Sequence, residues 1–376
     1  MKKQEQEKDK NQRPLVCITG MGMISAAGQG IGPLWNACLD KKTVLKKAGA
    51  TQIAEGNSLE FCLYALQEAM KQANWDSLLE DDILLLATTT GQMTRWDLPM
   101  FDYADKGVIS SELSHFSFSS LSEAIKSHFS FKGRVILVSS ACSASTQALE
   151  IGRKMILTGR AKRVLAGGVE ALSRLVIRGF DSLKLLSDEP CKPFDKNRKG
   201  INLSEGAAFY TLENQQETKV RPLAFLLAGA SILDSYSMTS PEPTGKGLKM
   251  AIEEALFESN LVSHEIDFIH AHGTGSWHND QAENNALSKI FFHQPEVIST
   301  KGVHGHLLGA SGAIEIGICL EIFRHGIIPP SVGLENKDPS ITLNLPMKKA
   351  QKKVRSILKT TLGFGGVNSV LIIGAP

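Results

Sequence analysis

The sequence predicts an α/β fold, and three observations carry that prediction. Short apolar runs such as "DDILLLA" and "RVILV" alternate with segments whose apolar residues recur at helical spacing. Several runs end in glycine or small polar residues, as in "LAGG", "HAHGTG" and "LGFGG". The 376 residues are 42% apolar and 21% charged, enough to bury a large core without disulfide staples.

Each element follows in turn. A strand is read over residues 15–19, "LVCIT", followed by a glycine turn and a helix at "GPLWNACLD". "SLEFCLYALQEAMKQANW" has one apolar face and little Gly or Pro, the mark of an amphipathic helix. "DDILLLATTTG" reads as a buried strand ending in a polar turn, and "SSLSEAIKSHFS" as a helix. "GRVILVSSACSASTQALEIGRKMILTGR" gives strand, turn and long helix, and "AKRVLAGGVEAL" another strand. The second half renews the pattern with strands at "PLAFLLAGASIL" and "IDFIHAHGTG" and helices at "GKGLKMAIEEALFESN" and "GASGAIEIGICLEIFRHG". "SILKTTLGFGGVNSVLIIGAP" closes with strand, glycine turn and strand. Such alternation favours a largely parallel sheet. No sequence repeat is legible and no low-complexity linker intervenes. We therefore expect two intimately packed halves, residues 14–218 and 219–376, behind a disordered charged tail, residues 1–13.

Composition narrows the function classes. A formal charge of +2 argues against nucleic-acid binding through bulk charge. The six cysteines are scattered with no CxxC, which suits a reducing compartment. The N-terminus lacks the apolar stretch of a secretory signal, and no apolar run reaches membrane-spanning length. The expected location is the cytoplasm.

Four stretches have chemical potential. "GMGMISAAG" resembles a dinucleotide fingerprint, but Ser25 stands where its third glycine belongs, so a plain glycine turn is the better reading. In "LVSSACSASTQALEIG", Cys142 sits between a strand and a helix, either as a small packing residue or as a nucleophile stabilised by free N–H groups at the helix N-terminus. "HAHGTGSWHNDQAE" puts His272 at a strand's carboxyl end, and "STKGVHGHLLGASGAIE" puts Lys301 and His306 beside glycines ahead of a helix. The pairs His270/His272 and His304/His306 raise the question of a metal, but Cys and carboxylate partners at metal spacing are missing. "TLGFGGVNS" is a glycine turn that can bring backbone N–H groups close to a ligand.

Taken in order, "SSACSAS", "KPFDKNRKGINLSEGAA", "IHAHGTGSWHNDQAE", "STKGVHGHLLGASGAIE", "IIPPSVGLENKDP" and "LGFGGVNSVLI" resemble the β-ketoacyl-acyl carrier protein synthases, in the Cys-His-His branch of the thiolase superfamily. The resemblance runs over residues 15–373. It implies a five-layered α-β-α-β-α fold of two similar halves with mixed sheets, and decarboxylative Claisen condensation without cofactor or metal. It casts Cys142 as the acyl-carrying nucleophile. His272 and His306 would bind the malonyl thioester carbonyl, and Lys301 and Glu283 would form a charge network around them. Phe364 would be the gate, its N–H joining that of Cys142 in an oxyanion hole. Thr274, Phe180, Leu362 and Gly365 would contact substrate. The implied partners are acyl- and malonyl-loaded acyl carrier protein and a second synthase chain, identical or related. The strand at "RAKRVLAGGVEAL" would pair across that dimer.

The sequence departs from the family between residues 39 and 61, where relatives carry an extra segment with a basic docking helix. Carrier docking would then rest on Lys184, on Lys162 and Arg163, or on a partner chain. "ATTTGQMTRWD" replaces a glycine-rich turn, setting Gln92, Met93, Arg95 and Trp96 near the acyl tunnel or the dimer interface. Leu362 stands where many relatives have Phe. These changes leave the chemistry intact and bear on substrate choice between fatty-acid and polyketide or polyene pathways. Other roles the sequence leaves open are acyl transfer without condensation and a subunit of a synthase heterodimer.

Overall fold

The computed structural model describes residues 15–46, 49–53, 56–108, 117 and 119–376. The expected tail, residues 1–13, lies outside them. Ten strands form one hydrogen-bonded path: β1 (Val16–Ser25), β2 (Ile83–Ala87), β3 (Arg134–Val138), β4 (Arg163–Glu170), β5 (Gly206–Asn214), β6 (Ala224–Leu233), β7 (Phe268–His270), β8 (Glu296–Ile298), β9 (Ser356–Gly363) and β10 (Val367–Gly374). Their order is β8-β7-β9-β10-β6-β1-β5-β4-β2-β3. Read outward from the centre, each half places its strands first, fifth, fourth, second and third. In each half the second strand is parallel to the third and fourth, and the fifth is antiparallel to the fourth and first. The chain therefore repeats one topology twice, although its sequence shows no repeat. The halves join where β1 pairs with β6, over three residue pairs.

Two expectations need correction. The sheet is mixed: only the pairings of β2 and β7 are parallel, because hairpin-like returns in each half bring the fourth and fifth strands together antiparallel. The "RAKRVLAGGVEAL" strand, β4, cannot pair across a dimer, because β2 and β5 occupy both of its edges. Within the described residues the open edge of this half is β3, whose Val135, Ile136 and Leu137 are half-buried.

Helices complete five layers. α1 (Ile31–Leu39), α2 (Ser58–Gln72), α3 (Asp97–Lys106), α4 (Ser119–His128), α5 (Ala144–Leu157), α6 (Arg174–Ser182), α7 (Lys246–Ser259), α8 (Trp277–Ser288), α9 (Lys301–His304) and α10 (Ser311–His325) follow in chain order. α5 and α10 pack on each other and on strands of both halves, forming the central layer. α2 covers the N-terminal half and α7 the C-terminal half from outside. Burial explains their character. α10 is buried from Ser311 to Ile322 and is mostly apolar there apart from Glu315 and Glu321, whereas α2 keeps a polar outer face.

The "GMGM" stretch is neither fingerprint nor turn: β1 runs straight through it. A Cβ on Gly20 would lie 2.1 Å from the Ala69 carbonyl oxygen, and one on Gly22 2.1 Å from that of Ala65. The glycines let α2 lie directly on the strand.

Candidate active site

Cys142 lies in the turn between β3 and α5, two residues before the helix begins. Ala141 adopts φ 49°, a left-handed conformation that costs an L-residue about 1–2 kcal/mol. Surroundings hold it there. The Thr89 hydroxyl donates to the Ala141 carbonyl at 3.3 Å, and Ser143 Oγ donates to the Ser140 carbonyl at 2.7 Å. Glu170, buried at the end of β4, accepts hydrogen bonds from Thr89 N, Thr90 N (3.1 Å), Thr90 Oγ1 (2.5 Å) and Gly309 N (3.2 Å), tying this turn to the C-terminal half. An acid ending an otherwise apolar strand, "VLAGGVE", was the available signal for it.

Burial works against the helix-stabilised thiolate that the sequence suggests. Burial pushes the Cys142 thiol up to about 11, against the opposing pull of the Phe364 N–H, the Lys301 ammonium and its own N–H. The N–H groups of Phe364 and Cys142 nonetheless both face its sulfur, the arrangement an oxyanion formed on an attached acyl group requires. The β9–β10 turn supplies Phe364, and its glycines suit that close approach. Gly365 and Gly366 have φ 81° and 82°, and Gly363 packs against the Ser140 carbonyl.

His272 and His306 share a cavity with Cys142 and Phe364. Their rings meet edge to face with centroids 5.2 Å apart. His306 Nδ1 accepts the Leu308 N–H at 2.9 Å and faces Ser311 Oγ at 3.0 Å. Because a backbone N–H can only donate, Nδ1 carries no proton, and the neutral ring has its N–H at Nε2. Lys301 Nζ lies 3.2 Å from His272 Nδ1 and donates to the His272 carbonyl at 2.8 Å. An ammonium likewise assigns the His272 proton to Nε2. Burial holds both imidazoles below their ordinary range, His306 at about 3, and Lys301 lowers them further.

The charge network has more members than Lys301 and Glu283. Lys301 pairs with Glu315, not Glu283. Glu283 works through the backbone: its carboxylate accepts from His272 N at 2.7 Å, Gly273 N at 2.8 Å and Thr360 Oγ1 at 2.6 Å, fixing the loop that bears His272. Lys359 of β9 flanks the other oxygen of Glu315 at 2.8 Å. Burial opposes ionisation of Glu315, but Lys301 and Lys359 outweigh it and hold the carboxylate well below its ordinary range. The sequence reading missed both residues, although Glu315 closes the quoted run "GASGAIE". Lys359 sits in the apolar run "SILKTTLG", where a charge is the anomaly that betrays it.

Other expected residues divide. Thr274, Phe180 and Leu362 line the cavity, and Phe180 stacks on Phe364 with centroids 5.6 Å apart. Gly365 is not among the lining residues; its N–H donates to the Met238 carbonyl at 2.8 Å. Gln92, Met93, Arg95 and Trp96 do not line the cavity either, and Gln92 is buried with its amide donating to Ser120 Oγ at 2.8 Å. Lys184 is exposed beside the lining residue Leu185. Lys162 and Arg163 stand at the far end of β4 from Glu170, seven residues or roughly 23 Å away. Arg163 is engaged there, donating to Asp82 at 3.0 and 2.6 Å and lying 3.9 Å over the Trp75 ring. Neither borders the cavity mouth. "KPFD" is scaffold: Asp195 accepts the N–H groups of Asn197, Glu335 and Asn336, and Phe194 packs where a Cβ on Gly273 would fall. His270 and His304 meet only through the Thr300 hydroxyl, at 3.1 and 2.9 Å. No group of three or more His, Cys, Asp or Glu among the described residues is placed to hold a metal.

Comparison with known proteins now has a geometry to rest on. Residues 50–218 match the β-ketoacyl synthase N-terminal domain and residues 223–335 its C-terminal domain. The chain is 29% identical to 3-oxoacyl-[acyl-carrier-protein] synthase 2 of Coxiella burnetii, over 95% of this chain and 98% of that one. It is similar to a type II polyketide ketosynthase solved with its acyl-carrier protein and bound to a hexaketide (26% identity, TM-score 0.91, 97% and 100% of the two chains). It is also similar to the ketosynthase of Xenorhabdus doucetiae solved with its chain length factor (25% identity, TM-score 0.84, 97% and 99%). The thiolase-like fold, the two matched domains and these relatives agree, and the chain belongs to the β-ketoacyl synthase family.

Proposed function

We propose that the protein condenses an acyl chain held on Cys142 with malonyl-acyl carrier protein, releasing carbon dioxide and a 3-oxoacyl-carrier protein. The observation that carries the reading is the convergence on one cavity of a thiol, two backbone N–H groups at its sulfur and two imidazoles with Nε2–H. Cys142 starts as a thiol, so its proton leaves as the acyl group arrives and ends on the departing carrier thiol. This thioester exchange needs no net acid or base. Malonyl-carrier then enters. The two Nε2–H groups hold its thioester oxygen, where charge builds as the carboxylate departs and an enolate forms. The enolate carbon attacks the acyl-Cys142 carbonyl, the new oxyanion rests on the N–H groups of Cys142 and Phe364, and the Cys142 thiolate leaves and takes a proton from solvent, the one proton the condensation consumes. The Phe180–Phe364 stack would have to part to admit the chain.

Carrier docking is assigned to the rim beside Leu185, where Lys184 and Arg178 are exposed. The relative solved with its acyl-carrier protein supports a carrier partner, and the one solved with a chain length factor supports a related chain as dimer partner. The open edge of β3 is the place for such a chain, or for a second copy. Six cysteines without a disulfide support a cytoplasmic location; no helix among the described residues is long and apolar enough to cross a membrane.

The test is mass spectrometry of Cys142 after exposure to a panel of acyl-carrier thioesters, followed by malonyl-carrier. An acyl mass that appears and then clears with release of carbon dioxide is expected. Acyl loading without carbon dioxide would instead mean acyl transfer alone.

A further inference from the structure

Two ammonium groups are buried beside the histidine pair, and the mechanism uses only one. The side chains of Lys301, Lys359 and Glu315 are all 0% exposed. Lys301 spends its three N–H groups on His272 Nδ1, the His272 carbonyl and Glu315 Oε1. Lys359 reaches 2.8 Å from Glu315 Oε2, too oblique for a hydrogen bond and so an ion pair. It donates to the Thr360 carbonyl and faces Thr361 Oγ1 at 3.4 Å. The next residue, Thr360, donates to Glu283. One short piece of β9 thus touches both buried carboxylates.

Charge counting shows what the second lysine does. Burial raises Glu283, but all three of its partners donate to it, with backbone N–H groups on both oxygens, and this geometry favours its carboxylate; Glu315 is held as a carboxylate by its two lysines. Two carboxylates against two ammoniums leave the cluster neutral before any imidazole takes a proton. Without Lys359 the sum is one negative charge, and a proton on a histidine would restore balance. That proton would damage the site. In His272 and His306 alike, Nδ1 already receives a donor, so protonating it sets donor against donor and turns the ring away.

We propose that Lys359 is a positioning residue: it supplies the second cation of a balanced buried cluster and so keeps His272 and His306 as neutral Nε2–H donors. The groups around them come from several elements. They are His270 on β7, Glu283 on α8, Lys301 and His304 on α9, Glu315 and Cys319 on α10, Lys359 on β9 and Cys142 in its own turn. Burial is the first cause lowering His270, His272, His304 and His306, and both lysines lower each ring further.

The inference takes its catalytic meaning from the condensing reading, but its test reads the rings directly. Full-length protein labelled with 15N-histidine is titrated as wild type, Lys359→Met and Lys359→Met/Glu315→Gln. In the wild type, His272 and His306 stay neutral with the proton on Nε2 from pH 8 to 5. In Lys359→Met the protonation midpoint of His272 rises by about one pH unit or more, and the acid limb of carbon dioxide release from malonyl-carrier rises with it. The double variant restores the neutral sum, and the midpoint falls back toward wild type, which a merely structural role would not produce. Equal titrations in wild type and Lys359→Met, or no return in the double variant, overturn the proposal. Should Lys359→Met fail to fold, wild-type spectra still decide it: His272 charged, or carrying its proton on Nδ1, at pH 7 overturns it. A wild type that releases no carbon dioxide sinks the condensing reading alone, because the ring titrations stand apart from turnover.

Discussion

In the N-terminal half the third strand, β3, runs into small residues and a single thiol. In the C-terminal half the topologically equivalent strand, β8, runs into Lys301, His304 and His306, while its neighbour β7 leads to His272. The strand plan is the same, but the buried chemistry is not. The first half buries Glu170 beside the site and satisfies it with N–H and hydroxyl donors. The second buries Lys301 and Lys359 on Glu315, Glu283 on the loop of His272, and four histidines nearby. An acyl carrier needs room, a sulfur and two N–H groups. An enolate needs dipoles set in advance, and a network stiff enough to keep them set.

The division is most sharply broken by Cys142→Ala. Condensation falls by about 10³ or more, while carbon dioxide release from malonyl-carrier persists, because the second half is untouched. Coupled loss of both would end the comparison. His306→Ala is the mirror case: release of carbon dioxide falls about 10²–10³-fold, and intact-mass analysis still finds acyl-Cys142.

Acid should unfold the protein through its C-terminal half. His270, His272, His304 and His306 are neutral when folded, with His304 held at about 4 and His270 and His306 at about 3. Unfolded, each takes a proton near pH 6.5. The unfolded chain therefore binds more protons below that pH, and stability falls as pH drops through this window. Each such proton steepens the fall by about 1.4 kcal/mol per pH unit. Glu170 and Glu283, raised by burial, oppose the trend at its lower end. Melting temperature against pH checks it: a flat profile from 6.5 to 4.5 would contradict the buried-neutral assignment.

Smaller effects sharpen the picture. Arg163→Ala removes the Asp82 contacts at the far end of β4 and costs about 1–3 kcal/mol of stability, with KM for acyl-carrier unchanged. A raised KM would return that end of the strand to carrier docking. Phe364→Ala removes a stack worth about 0.5–1.5 kcal/mol, and a several-fold change in acyl-loading rate that depends on chain length is expected.

Strand and helix positions were largely legible, because burial writes apolar runs and helical spacing into the sequence. Cys142, His272 and His306 were singled out by the family motifs taken in order; the small residues and glycines around them left packing and chemistry both open. Pairing partners were not legible. The two similar halves were expected from the family resemblance alone and not from any repeat in the sequence, because a strand plan constrains polarity, not identity. Gly20 and Gly22 resembled a turn because close helix approach and turning both select glycine, and only the position of α2 distinguishes them. Lys301 and Glu283 were named for the network, but the contacts each makes were not, since three-dimensional reach decides which carboxylate the lysine meets. Arg163 resembled a docking cation because exposure cannot be read from a charge alone.

The open edge of β3 has one more consequence. Its backbone N–H and C=O groups recognise an extended neighbour without regard to its side chains. A second copy and a diverged relative would satisfy them equally, so partner choice must be made by the flanking side chains. The same five-residue strand ends four residues before Cys142. A chain docked there would grip the stem of Cys142, so that assembly and acylation would share a single mechanical element.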